Sequence, residues 1–156
     1  KKTASLMALS CEVGAILGGG TPEQIAQMSI FGKEVGIAFQ ITDDLLDFTG
    51  DEESLGKPVG NDVRERKLTL PLIRALGNCQ NGEAERIQAK VRSGIESDEE
   101  LQEVFHFVER YKGIEEAREE AKTYATSGLK NLVALTTSDA RQALELAVRH
   151  VVDRDR

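Results

Sequence analysis

Small and apolar residues recur at helical spacing from Ala4 to Leu17 and stop at Gly18-Gly19-Gly20, a triplet that no helix continues through easily. Thr21-Pro22-Glu23-Gln24 then supplies an N-cap, a proline at the first helical position and a capping-box partner. The pattern predicts a second helix through Ile25, Met28, Phe31, Val35, Ala38 and Phe39, ending near Gly50. Gly32 and Gly36, four apart on that helix, predict close approach by the backbone of a neighbour. From Asp51 to Lys67 the periodicity disappears, and Gly56 to Asp62 reads as a loop longer than a connection needs.

Beyond the loop, Thr69-Leu70-Pro71 opens a short apolar helix over Leu72 to Leu76, stopped by Gly77-Asn78. Glu83 to Val91 is amphipathic and closed by Gly94, and Ser97 caps a helix whose apolar face is Leu101, Val104, Phe105 and Val108. After Gly113, a stripe of Ala117, Ala121, Ala125, Leu129 and Leu132 among Glu, Lys and Arg predicts a long surface helix. Ser138 caps a last one, Asp139 to Val152. No run alternates with period two, so the fold class expected is all-α, with seven or so helices.

Composition narrows the partners. The 156 residues suffice for one domain, and a mix rich in Ala, Leu, Glu, Lys and Arg, with 40% hydrophobic, 30% charged and only 4% aromatic residues, favours helices. A formal charge of -7 argues against a nucleic-acid binder held by phosphate neutralisation. Cys11 and Cys79 lack metal-like spacing and read as reduced thiols, no apolar run is long enough for a membrane span, and no signal sequence opens the chain. A soluble, cytoplasmic protein is expected. The start at Lys1, without Met and directly in a helical pattern, suggests a piece of something longer.

The chemistry concentrates in Phe39-Gln40-Ile41-Thr42-Asp43-Asp44-Leu45-Leu46-Asp47-Phe48. On a helix, Gln40, Asp43, Asp44 and Asp47 share an edge, with Phe39, Leu45, Leu46 and Phe48 mostly elsewhere. Carboxylates one turn apart, about 6 Å at roughly 1.5 Å rise per residue, raise one another's pKa unless a cation sits between them. Asp also propagates a helix poorly, so three of them suggest that reach mattered more than helicity. Three readings fit: a solvated acidic face, a carboxylate acid/base pair, or a site for a hard divalent cation. Magnesium suits the last, since it takes one or two carboxylates and completes its shell with substrate phosphates. Lys57, Arg64, Arg66 and Lys67 follow within eleven positions, a countercharge suited to a diphosphate or else a solvated basic turn. His106 and His150 are isolated on amphipathic segments and read as ordinary surface or partly buried residues.

Phe39-Gln40-x-x-Asp43-Asp44-x-x-Asp47, then Gly56-Lys57, Asp62 and Lys67, resembles the second aspartate-rich motif of the trans-isoprenyl diphosphate synthases, or polyprenyl synthetases, and Lys2-Thr3-Ala4 resembles the Lys-Thr element before it. The resemblance implies the helical barrel of the isoprenoid synthase fold. It further implies a Mg2+-dependent transferase in which an allylic diphosphate ionises and isopentenyl diphosphate attacks, giving trans-polyprenyl diphosphates that associate with membranes. Asp43, Asp44 and Asp47 would serve the metal, Asp43 directly and the other two as ligands or supports. Lys57 and Lys67 would hold the allylic diphosphate, Lys2, Thr3 and Gln40 would place oxygens near the nascent cation, and Phe39 would wall the isopentenyl site.

Family members pair, so a homodimer is implied, and a noncatalytic helical partner subunit of a synthase is the alternative. The loop before Asp62, one residue longer than in the short-chain branch, and the ending Arg154-Asp155-Arg156 resemble heptaprenyl- and octaprenyl-type synthases that make quinone side chains. The family's other Asp-Asp-x-x-Asp has no counterpart in the 156 residues. Residues 1–156 are therefore expected to be the C-terminal half of such a domain, inactive alone.

Overall fold

The computed structural model describes residues 2–50 and 59–153. Gly56 and Lys57 of the expected basic loop, and the Arg154-Asp155-Arg156 ending, lie outside the described residues, whereas Arg64, Arg66 and Lys67 lie within them. Among the described residues there is no strand, and the α-helices are α1 (Lys2–Leu17), α2 (Pro22–Thr49), α3 (Asn61–Arg64), α4 (Leu70–Asn78), α5 (Glu83–Ser93), α6 (Asp98–Arg110), α7 (Gly113–Asn131) and α8 (Asp139–Asp153). A 3-10 turn, Leu132–Ala134, separates the last two. These residues form two compact units, 2–42 with 120–153 and 43–50 with 59–119.

In the first unit, the capping box closes as its residues dictate: Thr21 N donates to Gln24 Oε1 at 2.9 Å and Gln24 N to Thr21 Oγ1 at 3.3 Å. The glycines of α2 are where α1 meets it. A Cβ on Gly32 would strike the Met7 carbonyl, and one on Gly36 would lie 2.6 Å from the Ala4 Cα. The close approach expected of this pair is therefore met within the chain by α1, not by a partner's helix. Met28, Phe31, Ala38, Ala125, Leu132 and Val148 form the core beside that contact. Leu132 fills it from the 3-10 turn, one step past the end of the helix to which its spacing assigned it.

The second unit is built on Phe48, Val63, Leu72, Ala75, Ile87, Val91, Leu101, Val104, Phe107 and Val108. Ser97 caps α6 as expected, its side chain accepting from Glu100 N. The aromatic fully enclosed on α6 is Phe107, whereas Phe105 stays partly exposed and stacks obliquely on Phe48, with ring centroids 5.1 Å apart. Helix α4 reaches beyond the expected Leu72–Leu76 at both ends and passes through Gly77. Ala117, Ala121 and Ala125 on α7 are almost wholly buried, so the surface helix keeps a narrow, closely packed stripe.

The aperiodic stretch is not all loop. Residues 61–64 turn into α3, whose entry is Gly60 at φ 80. A methyl group there would sit 2.7 Å from Leu101 Cδ1, so both backbone sign and space require glycine. A single helical turn is too short to display periodicity, and only Val63 of α3 is buried to announce it.

Candidate active site

The aspartates lie on the last turns of α2, and the structure separates them. Asp43 and Asp44 are half-buried, while Asp47 is 0% exposed. The shared edge expected of them is thus incomplete: Leu45, Leu46 and Phe48 are buried, and Asp47 is buried with them. An enclosed carboxylate must be hydrogen-bonded to be tolerated. Asp47 Oδ2 accepts from Asp62 N at 3.0 Å. One turn back, Asp44 Oδ2 accepts from Leu70 N at 3.3 Å, at the start of α4. Two acids of α2 therefore grip the segment that follows, at Asp62 and at Leu70.

Electrostatics single out Asp44. Burial pushes its carboxyl up from 3.8 to about 6, the like charges of Asp62, Asp43 and Asp47 push the same way, and the Leu70 amide partly opposes them. Asp62, which entered the sequence pattern without a role, proves to be the hub of this corner. It takes the Asp47 carboxylate at its amide and Lys67 at its own carboxylate, Lys67 Nζ to Asp62 Oδ1 being 2.8 Å. Its position five residues before a lysine was the available signal.

Lys67 also reaches Glu65 Oε2 at 2.7 Å. Hydrogen bonds first to Asp62 and then to Glu65 raise its pKa, so it stays an ammonium at any physiological pH. Arg64 pairs with Asp98, and the Arg66 guanidinium lies against Gly94. These two arginines thus make structural contacts in the second unit. The acids Asp43, Asp44 and Asp47 and the ammonium of Lys67 belong to that one unit. In the first unit, Thr3 Oγ1 donates to Gln40 Oε1, tying the two residues expected to act together; Phe39 is half-buried and Lys2 exposed.

Hard oxygen donors of this kind suit magnesium. Among the described residues no three His, Cys, Asp or Glu groups make a ready cage, and the donors on offer are the half-exposed carboxylates of Asp43 and Asp44. Magnesium needs no more than one or two such groups when phosphate oxygens complete its shell, so the residues present fit it.

Comparison with known proteins meets this geometry. The family model described as polyprenyl synthetase matches residues 1–108. The short chain isoprenyl diphosphate synthase of Methanothermobacter thermautotrophicus is 42% identical over 99% of the chain and 47% of its own length. The heptaprenyl diphosphate synthase component 2 of Geobacillus stearothermophilus is 37% identical over 99% and 47%. The polyprenyl synthase from Caulobacter crescentus CB15, solved complexed with calcium and isoprenyl diphosphate, superposes with a TM-score of 0.90 at 30% identity, covering 99% of this chain and 47% of that one. The chain thus spans about half the length of the curated relatives it matches, and those relatives include both a short chain synthase and a heptaprenyl synthase component. With its helices laid out as in the all-α isoprenoid synthases, and its aspartates and lysine inside the matched region, the chain belongs to the polyprenyl synthetase family.

Proposed function

We propose that this chain carries the second aspartate-rich part of a prenyltransferase site that condenses an allylic diphosphate with isopentenyl diphosphate, giving trans-polyprenyl diphosphates of the kind used as quinone side chains. The observation that carries the reading is the charge layout of the second unit. Asp44 sits among Asp43, Asp47 and Asp62 with its pKa lifted to about 6, beside a segment that holds the Lys67 ammonium. Such acids are relieved by a cation, and the ammonium suits the anion that a cation brings.

Asp43 and Asp44 would hold Mg2+, which when bound offsets the diphosphate charge and makes it a better leaving group. Lys67, and Lys57 from beyond the described residues, would bind the allylic diphosphate and stabilise charge as it collects on the departing oxygen. The Thr3 hydroxyl, by donating to Gln40 Oε1, fixes the amide so that Gln40, with Lys2, can set oxygens toward an allylic cation. Phe39 would wall the isopentenyl side. The enzyme would be cytoplasmic, its product membrane-associated, and this chain the C-terminal half of the complete domain.

We also assign it a homodimeric state. Leu6, Leu9, Val13 and Ile16 stand exposed at helical spacing along α1, an apolar stripe that a like stripe from a second copy would cover. Light scattering on a Leu9→Glu variant of the complete synthase checks this, and an unchanged mass would refute it.

The test of function is turnover of an allylic diphosphate with isopentenyl diphosphate and Mg2+ by the complete synthase. Asp43→Asn is expected to lower kcat at least a hundredfold, and near-normal turnover would discard the assignment. The 156-residue chain alone should transfer no prenyl group. A second reading, a noncatalytic partner subunit, draws on the naming of the Geobacillus stearothermophilus relative as a component of its synthase. A pure scaffold would show no Mg2+-linked pyrophosphate binding by calorimetry.

A further inference from the structure

We infer that Asp47 is a positioning residue, acting on the diphosphate through Asp62 and Lys67 without touching metal or substrate; this rests on the reading of the site just given. The three aspartates look equivalent in the motif, but their surroundings differ. Asp43 and Asp44 reach partly into solvent, where an ion can be met, and Asp47 has no exposed surface.

What Asp47 does hold is the turn that presents Lys67. Its Oδ2 accepts from Asp62 N at 3.0 Å and its backbone carbonyl accepts from Gly60 N at 2.9 Å. Two bonds from one residue pin 60–62, at a left-handed glycine that cannot carry a side chain. Val63 is fully buried and anchors the next position.

From Asp62 the link passes on twice. Lys67 N donates to the Asp62 carbonyl at 2.9 Å, and Lys67 Nζ to the Asp62 carboxylate at 2.8 Å. Between them Arg66 takes φ 64, a left-handed state that a non-glycine residue keeps only where its surroundings impose it. Lys67 itself is 55% exposed in its side chain, so the end of this relay is accessible. A lysine is a point charge on a stem with much rotamer freedom. A backbone and a carboxylate that restrict it in advance lower the entropy lost when a phosphate oxygen arrives.

Calorimetric titration of the complete synthase with inorganic pyrophosphate in excess Mg2+ separates positioning from ligation. Lys67→Ala should weaken binding about tenfold, the scale of one hydrogen bond to a charged group. Asp47→Ala should lose a similar factor, with no further loss in the double variant, because both changes cut one relay. Asp47→Asn should lose only about twofold to threefold, since its Oδ1 still accepts the Asp62 amide while the charge a metal would need is gone. That variant keeps the inference testable should the alanine change impair folding.

An Asn variant as weak as Lys67→Ala, or Ala losses that add to those of Lys67→Ala, would overturn the inference while leaving the site reading intact. Wild-type protein that takes up no pyrophosphate, or a Lys67→Ala variant that binds as wild type does, would overturn the site reading and the inference with it.

Discussion

Replacing Asp44 with Asn should stabilise the protein, and only above a definite pH. The folded structure raises the Asp44 pKa from 3.8 to about 6, with burial the leading cause and three neighbouring carboxylates adding to it. A carboxyl whose folded pKa is raised binds its proton more tightly when folded. Protonation therefore favours the folded state, and the penalty from Asp44 grows as pH rises from about 4 to about 6 and is complete above that. At about 1.4 kcal/mol per unit, a shift of this size corresponds to roughly 3 kcal/mol before screening. Asp44 is partly open to solvent, which reduces the figure to about 1–2 kcal/mol. The asparagine carbonyl can still accept from Leu70 N, so the substitution removes charge and keeps the bond. Urea unfolding followed by far-UV circular dichroism, at steps from pH 4.5 to 7.5, measures the difference between variant and wild type. It should be largest at pH 7.5 and shrink as pH falls through 6. A destabilised variant at pH 7.5, or a gap that does not change with pH, would refute the electrostatic account of this site.

Glycines make sharper tests because their surroundings predict opposite signs. Gly36→Ala places a Cβ 2.6 Å from the Ala4 Cα and should cost about 1–3 kcal/mol by overpacking, despite the better helix propensity of alanine. Gly14→Ala on α1 meets nothing within 4 Å and should instead gain about 0.5–1 kcal/mol; the same denaturation series reads both, and equal effects would dismiss the packing argument. Gly60→Ala combines φ 80 with a clash at Leu101 and should cost more than 2 kcal/mol, while weakening pyrophosphate binding through the displaced Asp62 turn. Wild-type stability in a Gly60→Ala protein would show that the turn tolerates another conformation.

Helix limits were legible wherever a residue both ends one element and begins another. Gly18 to Pro22 and Gly94 to Ser97 each combine a breaker with a cap, and the helices start at Pro22 and Asp98 as those residues require. Helix α3 was illegible because one turn carries no period, and its cause is tertiary: Asp47 and Gly60 hold it from outside. The candidate site was legible as a set of residues but not as a set of roles. Spacing places Asp43, Asp44 and Asp47 within one turn of each other, yet it fixes only their mutual angles and not which way α2 is rotated against its neighbours. That rotation is set by Leu45, Leu46 and Phe48, whose burial carries Asp47 inward with them. Once it is inside, its charge is tolerated only because a backbone amide meets it, and the nearest sequence able to supply one is the turn that leads to Lys67. The same apolar residues that shape the core thus decide which acids face an ion and which hold the lysine, so no reading of the acidic motif apart from its hydrophobic neighbours could have divided the work among them.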